Sequence, residues 1–352
     1  MIPLKFDSAN SRYLILALAS ALLFATATPI SKLLLHGLTA FQLAGLLYLG
    51  AAIGVAPTLF RKERRLSLFK LDRKNTLRLF GAIACGGVAG PVLLLFGLQL
   101  ASASSVSLWL NLELVATAML GRLLFHDHLG KFGWLGVAGV IAAGALLSAG
   151  EGVAGLWAGL LVAGACTCWG FDNHFTALID GITPAQSTLW KGSVAGAVNL
   201  TIGIVAAPFA ASGFVTFSAL VVGVLAYGAS ITLYITAAQG MGATRAQMFF
   251  ASAPFIGVAL SALILGESIS VIQIVAAGLL AFSLGLLFRD QHHHVHQHES
   301  LSHEHTHSHD DGHHTHEHQG LDPSKRHSHW HDHEPVEHSH PNWPDLHHRH
   351  VH

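Results

Sequence analysis

The sequence predicts an all-α integral membrane protein with ten transmembrane helices, arranged as two inverted five-helix repeats and followed by a disordered histidine-rich tail. Hydrophobic residues make up 51% of the chain and charged residues only 11%, which is about half the charged share of soluble proteins. Apolar windows of bilayer length recur along the first 288 residues, and most of the turns between them are short. This composition excludes a soluble globular protein.

Windows of about 20 apolar residues place the spans one after another. We expect them at 13–35, 41–60, 77–100, 103–125, 132–149, 154–178, 185–208, 215–237, 244–264 and 270–288. A cleavable signal peptide ending at Ala25-Thr26-Ala27 is the alternative for the first span. The apolar stretch continues to Leu35 and is long enough to cross the bilayer, which favours a retained helix.

The distribution of basic residues predicts the topology. The loop from Arg61 to Arg78, between spans two and three, holds most of the lysine and arginine residues of the connections. Positive loops stay on the cytoplasmic side of a membrane. With ten spans, both termini are then cytoplasmic, and we expect the protein in the cell inner (cytoplasmic) membrane.

The body of the chain contains a weak internal repeat. A shift of 140 residues aligns Gln99 with Gln239, Ala103 with Ala243 and Asp127 with Glu267. Each unit contains five spans, and an odd number of spans reverses the orientation of the second unit. We therefore divide the chain into a cytoplasmic N-terminus (1–11), two five-helix repeats (12–150 and 151–288) and a tail (289–352), an arrangement found in secondary transporters.

Several short motifs resemble those of the drug/metabolite transporter superfamily, and within it the EamA-type permeases. They are Phe24 to Lys32 (FATATPISK), Leu112 to Val115 (LELV), Ala253-Pro254-Phe255 and Gly266-Glu267-Ser268. The resemblance implies alternating access through a central cavity lined by both repeats. Leu114 stands where the family has proline, which argues against a proline hinge in span four and leaves one at Pro254.

Ionisable side chains inside the spans are the candidates for substrate binding, since each costs a few kcal/mol in hydrocarbon unless it faces a cavity or a partner. Each candidate also has a structural interpretation, namely a buried hydrogen-bonded carboxylate, a lysine that extends to the interface, or a helix cap. A carboxylate and an imidazole close together in span six could also hold a metal ion with help from span four. The cavity candidates are Glu113, Asn111, Trp109, Lys32, Asp172, His174 and Lys191.

The tail carries nearly all the histidine. Of 27 histidines, only His36, His126, His128 and His174 lie before residue 291. Imidazole binds zinc, nickel and cobalt well, so the tail is a candidate metal-binding segment, while histidine titration near pH 6.5 makes a pH-responsive tail the alternative. His126 and His128 could relay metal or belong to an ordinary solvated turn. The candidate metal ligands in the tail are His303, His305, His307, His309, His313, His314, His316 and His318.

The function expected from these features is that of a secondary-active permease that exports a small solute. A divalent metal (Ni, Co or Zn) efflux transporter and a membrane-anchored metal buffer or sensor are the alternatives. The sequence has no glycine-rich phosphate loop with its lysine, and we expect neither an enzyme nor a nucleic-acid-binding protein. No cofactor is required, although the tail could bind Zn, Ni or Co. The expected partners are the lipid bilayer and the transported solute or metal ion.

Overall fold

In the residues that a computed structural model of the chain describes, ten helical stretches follow one another, each long and apolar enough to cross a bilayer. The structure describes residues 8–59, 71–124, 129–289, 293–297, 301–307, 327–333 and 337–341. The ten predicted spans are confirmed to within a few residues. Spans 1 to 10 comprise Ser11–Leu34, Ala40–Leu59, Arg73–Leu100, Ala103–Leu124, Lys131–Gly150, Gly152–Ala177, Pro184–Ala206, Gly213–Met241, Ala243–Leu265 and Val271–Arg289.

Half of these spans are continuous α-helices, apart from a final 3₁₀ turn at Ala56–Leu59 in span 2, and the others are interrupted. Spans 3 and 8 each contain a π-helical segment, Ala82–Ala89 and Gly223–Ala229. Glycine and small residues recur there, and π-helical turns often mark functional positions. The α-helices are α1 Ser8–Phe24, α2 Ala27–Leu34, α3 Ala40–Val55, α4 Arg73–Gly81, α5 Gly90–Leu100, α6 Ala103–Trp109, α7 Leu112–Leu124, α8 Lys131–Gly150, α9 Gly152–Ala177, α10 Pro184–Ala206, α11 Gly213–Val222, α12 Ser230–Met241, α13 Ala243–Phe250, α14 Ala253–Leu265 and α15 Val271–Arg289.

Spans 4 and 9 are broken at equivalent places. In span 9 the break at Ala251-Ser252 precedes Pro254, which occupies the first turn of α14, where its missing N–H is not needed. Span 4 is interrupted at Leu110-Asn111 although Leu114 replaces the proline. A proline therefore follows the break only in span 9, and span 4 is broken at the equivalent place without one.

The contacts between spans repeat when five is added to each span number. Span 2 packs on span 8 and span 7 on span 3, while span 1 packs on span 9 and span 6 on span 4. Spans 2 and 7 pack on each other, as do spans 5 and 10. Because each repeat has five spans, the second repeat crosses the membrane in the opposite direction to the first. Each contact between a span of one repeat and a span of the other therefore occurs twice, as expected for two inverted repeats.

Helix caps follow the same repeat. Span 2 begins with a capping box in which Thr39 accepts from the Gln42 backbone N–H and Gln42 reaches back, and span 7 begins with the same arrangement of Thr183 and Gln186. Both satisfy backbone donors that a helix start leaves free. Asp72 caps α4, and the Asn75 backbone N–H holds the pKa of this exposed carboxylate below its ordinary value by donating to its charged form.

The outward surface of the bundle is apolar. Val205, Phe214 and Leu263 are each at least 80% exposed, as expected for side chains that meet lipid. The buried polar residues lie instead between helices. The loop of residues 60–70, the His126-Asp127-His128 turn and residues 1–7 of the N-terminus lie outside the described residues.

Four short stretches of the histidine-rich segment are extended. Strand β1 (His293–Gln297) pairs with β4 (Glu337–Pro341), and β2 (Leu301–His307) pairs with β3 (His327–His333), both antiparallel. These stretches do not test the predicted disorder of the tail, which stays a prediction. For the rest of the tail, the prediction lies outside the described residues.

Candidate functional site

A cavity lies among seven of the ten spans. Spans 1, 2 and 4 of the first repeat and spans 6, 7, 8 and 9 of the second contribute its walls, with Glu113 as the one lining residue from span 4. Its lining residues are Phe24, Tyr48, Glu113, Trp169, Asp172, Asn173, Thr176, Lys191, Tyr227, Ser230, Ile231, Tyr234, Ile235 and Phe250.

A buried ion pair crosses one wall of this cavity. The Lys191 Nζ lies 2.6 and 2.8 Å from the two carboxylate oxygens of Asp172. Lys191 is only 1% exposed, so both charges have left water and stabilise each other. Lysine here neither extends to the interface nor caps a helix, and the pair joins span 6 to span 7.

A second carboxylate, Glu113, begins the second half of span 4. The Asn173 side-chain amide donates to its Oε1 at 2.9 Å and also contacts the Thr117 hydroxyl at 3.1 Å. Glu113 is buried, and its position follows from the break at Leu110-Asn111, which brings it into the first turn of α7. The start of a helix carries partial positive charge, which favours a carboxylate at this position.

Aromatic rings form most of the remaining wall. Phe24, from span 1, contacts Trp169, Tyr227 and Phe250 with ring centroids 6.2, 5.8 and 5.3 Å away. Tyr48 lies 5.4 Å from Tyr227 by the same measure. Edge-on contacts of this kind are favourable between rings, and they fix a rigid apolar lining from both repeats.

The π-helical segment of span 3 holds two of these rings in place. The carbonyl of Gly86 accepts from the Tyr48 hydroxyl at 2.5 Å and from the Trp169 indole N–H at 3.1 Å. A side chain at Gly86 would overlap Asp172, so glycine is required for the close approach of span 6. The cavity wall thus includes irregular backbone, whose polar groups can be hydrogen-bonded inside a membrane only by surrounding protein.

Comparison with family models matches residues 11–149 and 156–289 to the EamA-like transporter family. The chain belongs to the EamA-like transporter family. The two matches agree with the two structural repeats, and the resemblance seen in the short motifs is confirmed. Like its family, this EamA-like protein is a membrane transporter rather than an enzyme.

Among solved structures, one titled only "Crystal structure of protein" aligns with this EamA-like protein with a TM-score of 0.60 and 14% sequence identity. The alignment covers 78% of this chain and 94% of that chain. At this identity the similarity shows the fold alone. The comparison with curated proteins gave no match.

Three of the seven predicted cavity residues line the cavity of the EamA-like bundle, namely Glu113, Asp172 and Lys191. The structure also places there Asn173, which stands between Asp172 and His174 in the sequence. The roles of these residues in binding stay predictions.

The other four predicted residues make internal contacts outside the lining. The Trp109 indole donates to the Gly144 carbonyl at 3.0 Å, and the Asn111 amide donates to the Leu108 carbonyl at 3.0 Å. The His174 Nε2 lies 2.8 Å from the Thr117 carbonyl oxygen. Lys32 donates to two carbonyls at the end of span 3. Each of these side-chain nitrogen atoms already has a protein partner.

Sequence reasoning missed the aromatic lining. Phe24, Tyr48, Tyr227, Tyr234 and Phe250 line the cavity, and the sequence analysis named none of them as a cavity candidate. The tyrosines could have indicated the cavity. The chain has only four, and three of them, Tyr48, Tyr227 and Tyr234, lie inside predicted spans, where the hydroxyl needs a partner. These three all line the cavity.

A polar network closes the end of the bundle at which span 1 ends, which we call the distal end. Lys32 donates to the carbonyls of Leu98 and Ala101 at 2.6 and 2.8 Å. Glu267 accepts from the backbone N–H groups of Ala103 and Ser104, both at 2.8 Å. This carboxylate caps span 4 from the turn between spans 9 and 10.

The cavity lies toward the other end of the bundle. Thr176 is one residue from the end of span 6, and Lys191 and Phe250 each lie seven residues from the start of their spans. All three span ends lie at the end of the bundle where span 1 begins. The distal half, by contrast, is packed and tied by the Lys32 and Glu267 contacts.

No cluster of three or more histidine, cysteine, aspartate or glutamate side chains suited to a metal ion occurs where side chains are described. Asp172 is occupied by Lys191, and His174 faces Thr117, so the predicted grouping of Asp172, His174 and Glu113 is not assembled in this arrangement. The tail histidines lie outside the residues with described side chains, and their metal binding stays a prediction.

Proposed function

We propose that this protein is a secondary-active permease that exports a small organic solute by alternating access between its two repeats. The observation that carries the proposal is the cavity itself, walled by Phe24, Tyr48 and Glu113 from one repeat and by Asp172 and Lys191 from the other. A site shared by two inverted repeats changes its opening when one repeat rocks against the other.

The two ends of the helix bundle differ, and this difference supports the loading step of the transport cycle. The distal end is tied by the Lys32 and Glu267 hydrogen bonds, while the cavity lies toward the opposite end. The topology predicted from the basic loops makes that opposite end cytoplasmic. This supports a cavity that is loaded from inside the cell and releases its solute on the other side.

Export can be tested by comparing the solutes of cells and medium with and without the protein. We expect at least one small organic solute to fall in cells and rise in medium when the wild type is expressed. Ile231→Trp places a large ring in the cavity and should abolish the change, whereas Val205→Trp, on the 83% exposed outer surface, should not.

Metal efflux is tested in the same cells by measuring Ni, Co and Zn content. Metal as cargo is less well supported, because the described residues of the bundle assemble no metal-ligand cluster. If cell metal falls with wild type but not with Ile231→Trp, and no organic solute changes, the cargo is metal and the proposal is wrong.

A further inference from the structure

The cavity holds one carboxylate more than it holds cations. Asp172 and Lys191 neutralise each other at 2.6 Å, and this is the one ion pair among the described residues. Glu113 receives the neutral amide of Asn173 instead of a cation. A buried carboxylate without a countercharge is costly, so a ligand that brings a positive charge gains more here than a neutral one.

The aromatic lining favours the same charge. Phe24 contacts Trp169, Tyr227 and Phe250 at the cavity, at centroid distances of 5.3 to 6.2 Å. Ring faces carry negative potential and attract organic cations, whose apolar bodies they also cover. Compact hydrated metal ions need oxygen or nitrogen ligands that such rings do not offer.

One polar group on the lining has no partner. The hydroxyl of Tyr227 is buried, lines the cavity and makes no hydrogen bond within the described part of the chain. Buried hydroxyls are normally satisfied, and an oxygen facing a cavity can accept an N–H from a ligand. This places an acceptor in the same cavity as the Glu113 carboxylate.

We propose that the solute is a protonated organic amine, with its ammonium group at Glu113 and the Tyr227 hydroxyl and its apolar body between the rings of Phe24, Trp169 and Phe250. The proposal deepens the proposed function, on which it rests for the location of the site. The Asp172–Lys191 pair stays intact and forms a neutral wall beside the ligand.

Binding to the purified full-length protein in detergent tests the proposal with three probes that share one body, 2-phenylethylamine, 2-phenylethanol and phenylacetate. At pH 7 the amine is a cation, the alcohol is neutral and the acid is an anion. We expect calorimetric titration to show the amine binding about tenfold or more tightly than the alcohol, and no binding of phenylacetate. Equal binding of amine and alcohol, or tighter binding of phenylacetate, overturns the proposal.

Two variants assign the contacts. Glu113→Gln keeps the shape and removes the charge, so amine affinity should fall about tenfold toward that of the alcohol, while Glu113→Asp keeps the charge and should retain the preference. Tyr227→Phe should weaken the amine about fivefold, and Tyr13→Phe, outside the lining, should change nothing. Unchanged amine affinity in well-folded Glu113→Gln, judged by gel filtration, contradicts the assignment.

The amine proposal and the permease proposal fail in different ways. If the amine binds but cells expressing the protein export no solute, the ligand class stands and the transport function falls. If cells export a neutral or anionic solute equally well with wild type and Glu113→Gln, the permease stands and the amine class is wrong.

Discussion

Breaking the buried ion pair from one side should destabilise the bundle more than removing the whole pair. Asp172→Asn leaves the Lys191 ammonium, 1% exposed, without its counter-ion. Lys191→Met leaves the Asp172 carboxylate in the same position. The double variant Asp172→Asn/Lys191→Met leaves two neutral side chains of similar size, so it carries no uncompensated charge.

The geometry sets the magnitude. Oxygen and nitrogen atoms 2.6 to 2.8 Å apart attract each other by about 6 kcal/mol at an effective dielectric constant of 20. Part of that attraction offsets the cost of removing both charges from water, and losing one partner of a buried pair costs about 3–5 kcal/mol. The double variant should stay within about 1–2 kcal/mol of wild type, since apolar replacement of both partners is often neutral.

Thermal unfolding in detergent, followed by tryptophan fluorescence, is the assay. Each single variant should lower the Tm by roughly 5–15 °C, and the double variant should recover most of this loss. Lys131→Met, which removes an exposed charge at the start of span 5, is the control and should leave the Tm within about 2 °C.

The result that refutes this reasoning is additivity. If the double variant melts as low as the sum of the two single losses, Asp172 and Lys191 act independently, and the 2.6 Å contact contributes nothing to stability. Single variants that melt with the wild type would lead to the same conclusion.

Three further predictions concern other parts of the chain. Glu267→Ala removes the carboxylate that accepts from the backbone N–H groups of Ala103 and Ser104 at 2.8 Å, and it should lower the free energy of unfolding by about 1–3 kcal/mol. The measurements are a lower Tm and faster hydrogen exchange at the start of α6, and unchanged exchange there would contradict the prediction. Gly45→Ala should destabilise by about 1–3 kcal/mol, because its Cβ would lie 2.5 Å from the Leu200 backbone, whereas Gly278→Ala, with open space around it, should not lower the Tm. Deleting residues 291–352 should abolish micromolar Ni or Zn binding in calorimetric titration while solute export continues; export that stops with the tail would show that the tail takes part in transport.

Much of the architecture could be predicted because it depends on local properties of the chain. The length of an apolar run decides whether it crosses a bilayer, whatever its neighbours, and this placed all ten spans. The reversal of the second repeat follows from counting five spans. Glu113 and Lys191 stood out because an ionisable side chain inside a span is rare and costly.

Pairing and helix breaks could not be predicted in this way. Whether Lys191 extends to lipid headgroups or meets Asp172 depends on how spans 6 and 7 rotate about their axes, which their apolar composition leaves undetermined. The same uncertainty made Trp109 and His174 equal candidates, although their polar atoms point at the carbonyls of Gly144 and Thr117. In membranes the small-residue contacts that set rotation leave little trace in hydropathy.

The π-helical segment of span 8 sets the rotational phase of everything after it. An α-helix turns by about 100° for each residue, and Gly223–Ala229 holds more residues per turn than an α-helix would. Deleting one residue from this segment would rotate α12 by about 100° and turn Ile231, Tyr234 and Ile235 away from the cavity, while α11 kept its place. The number of residues in the segment, rather than their identity, therefore decides which side of span 8 meets the solute and which side meets lipid.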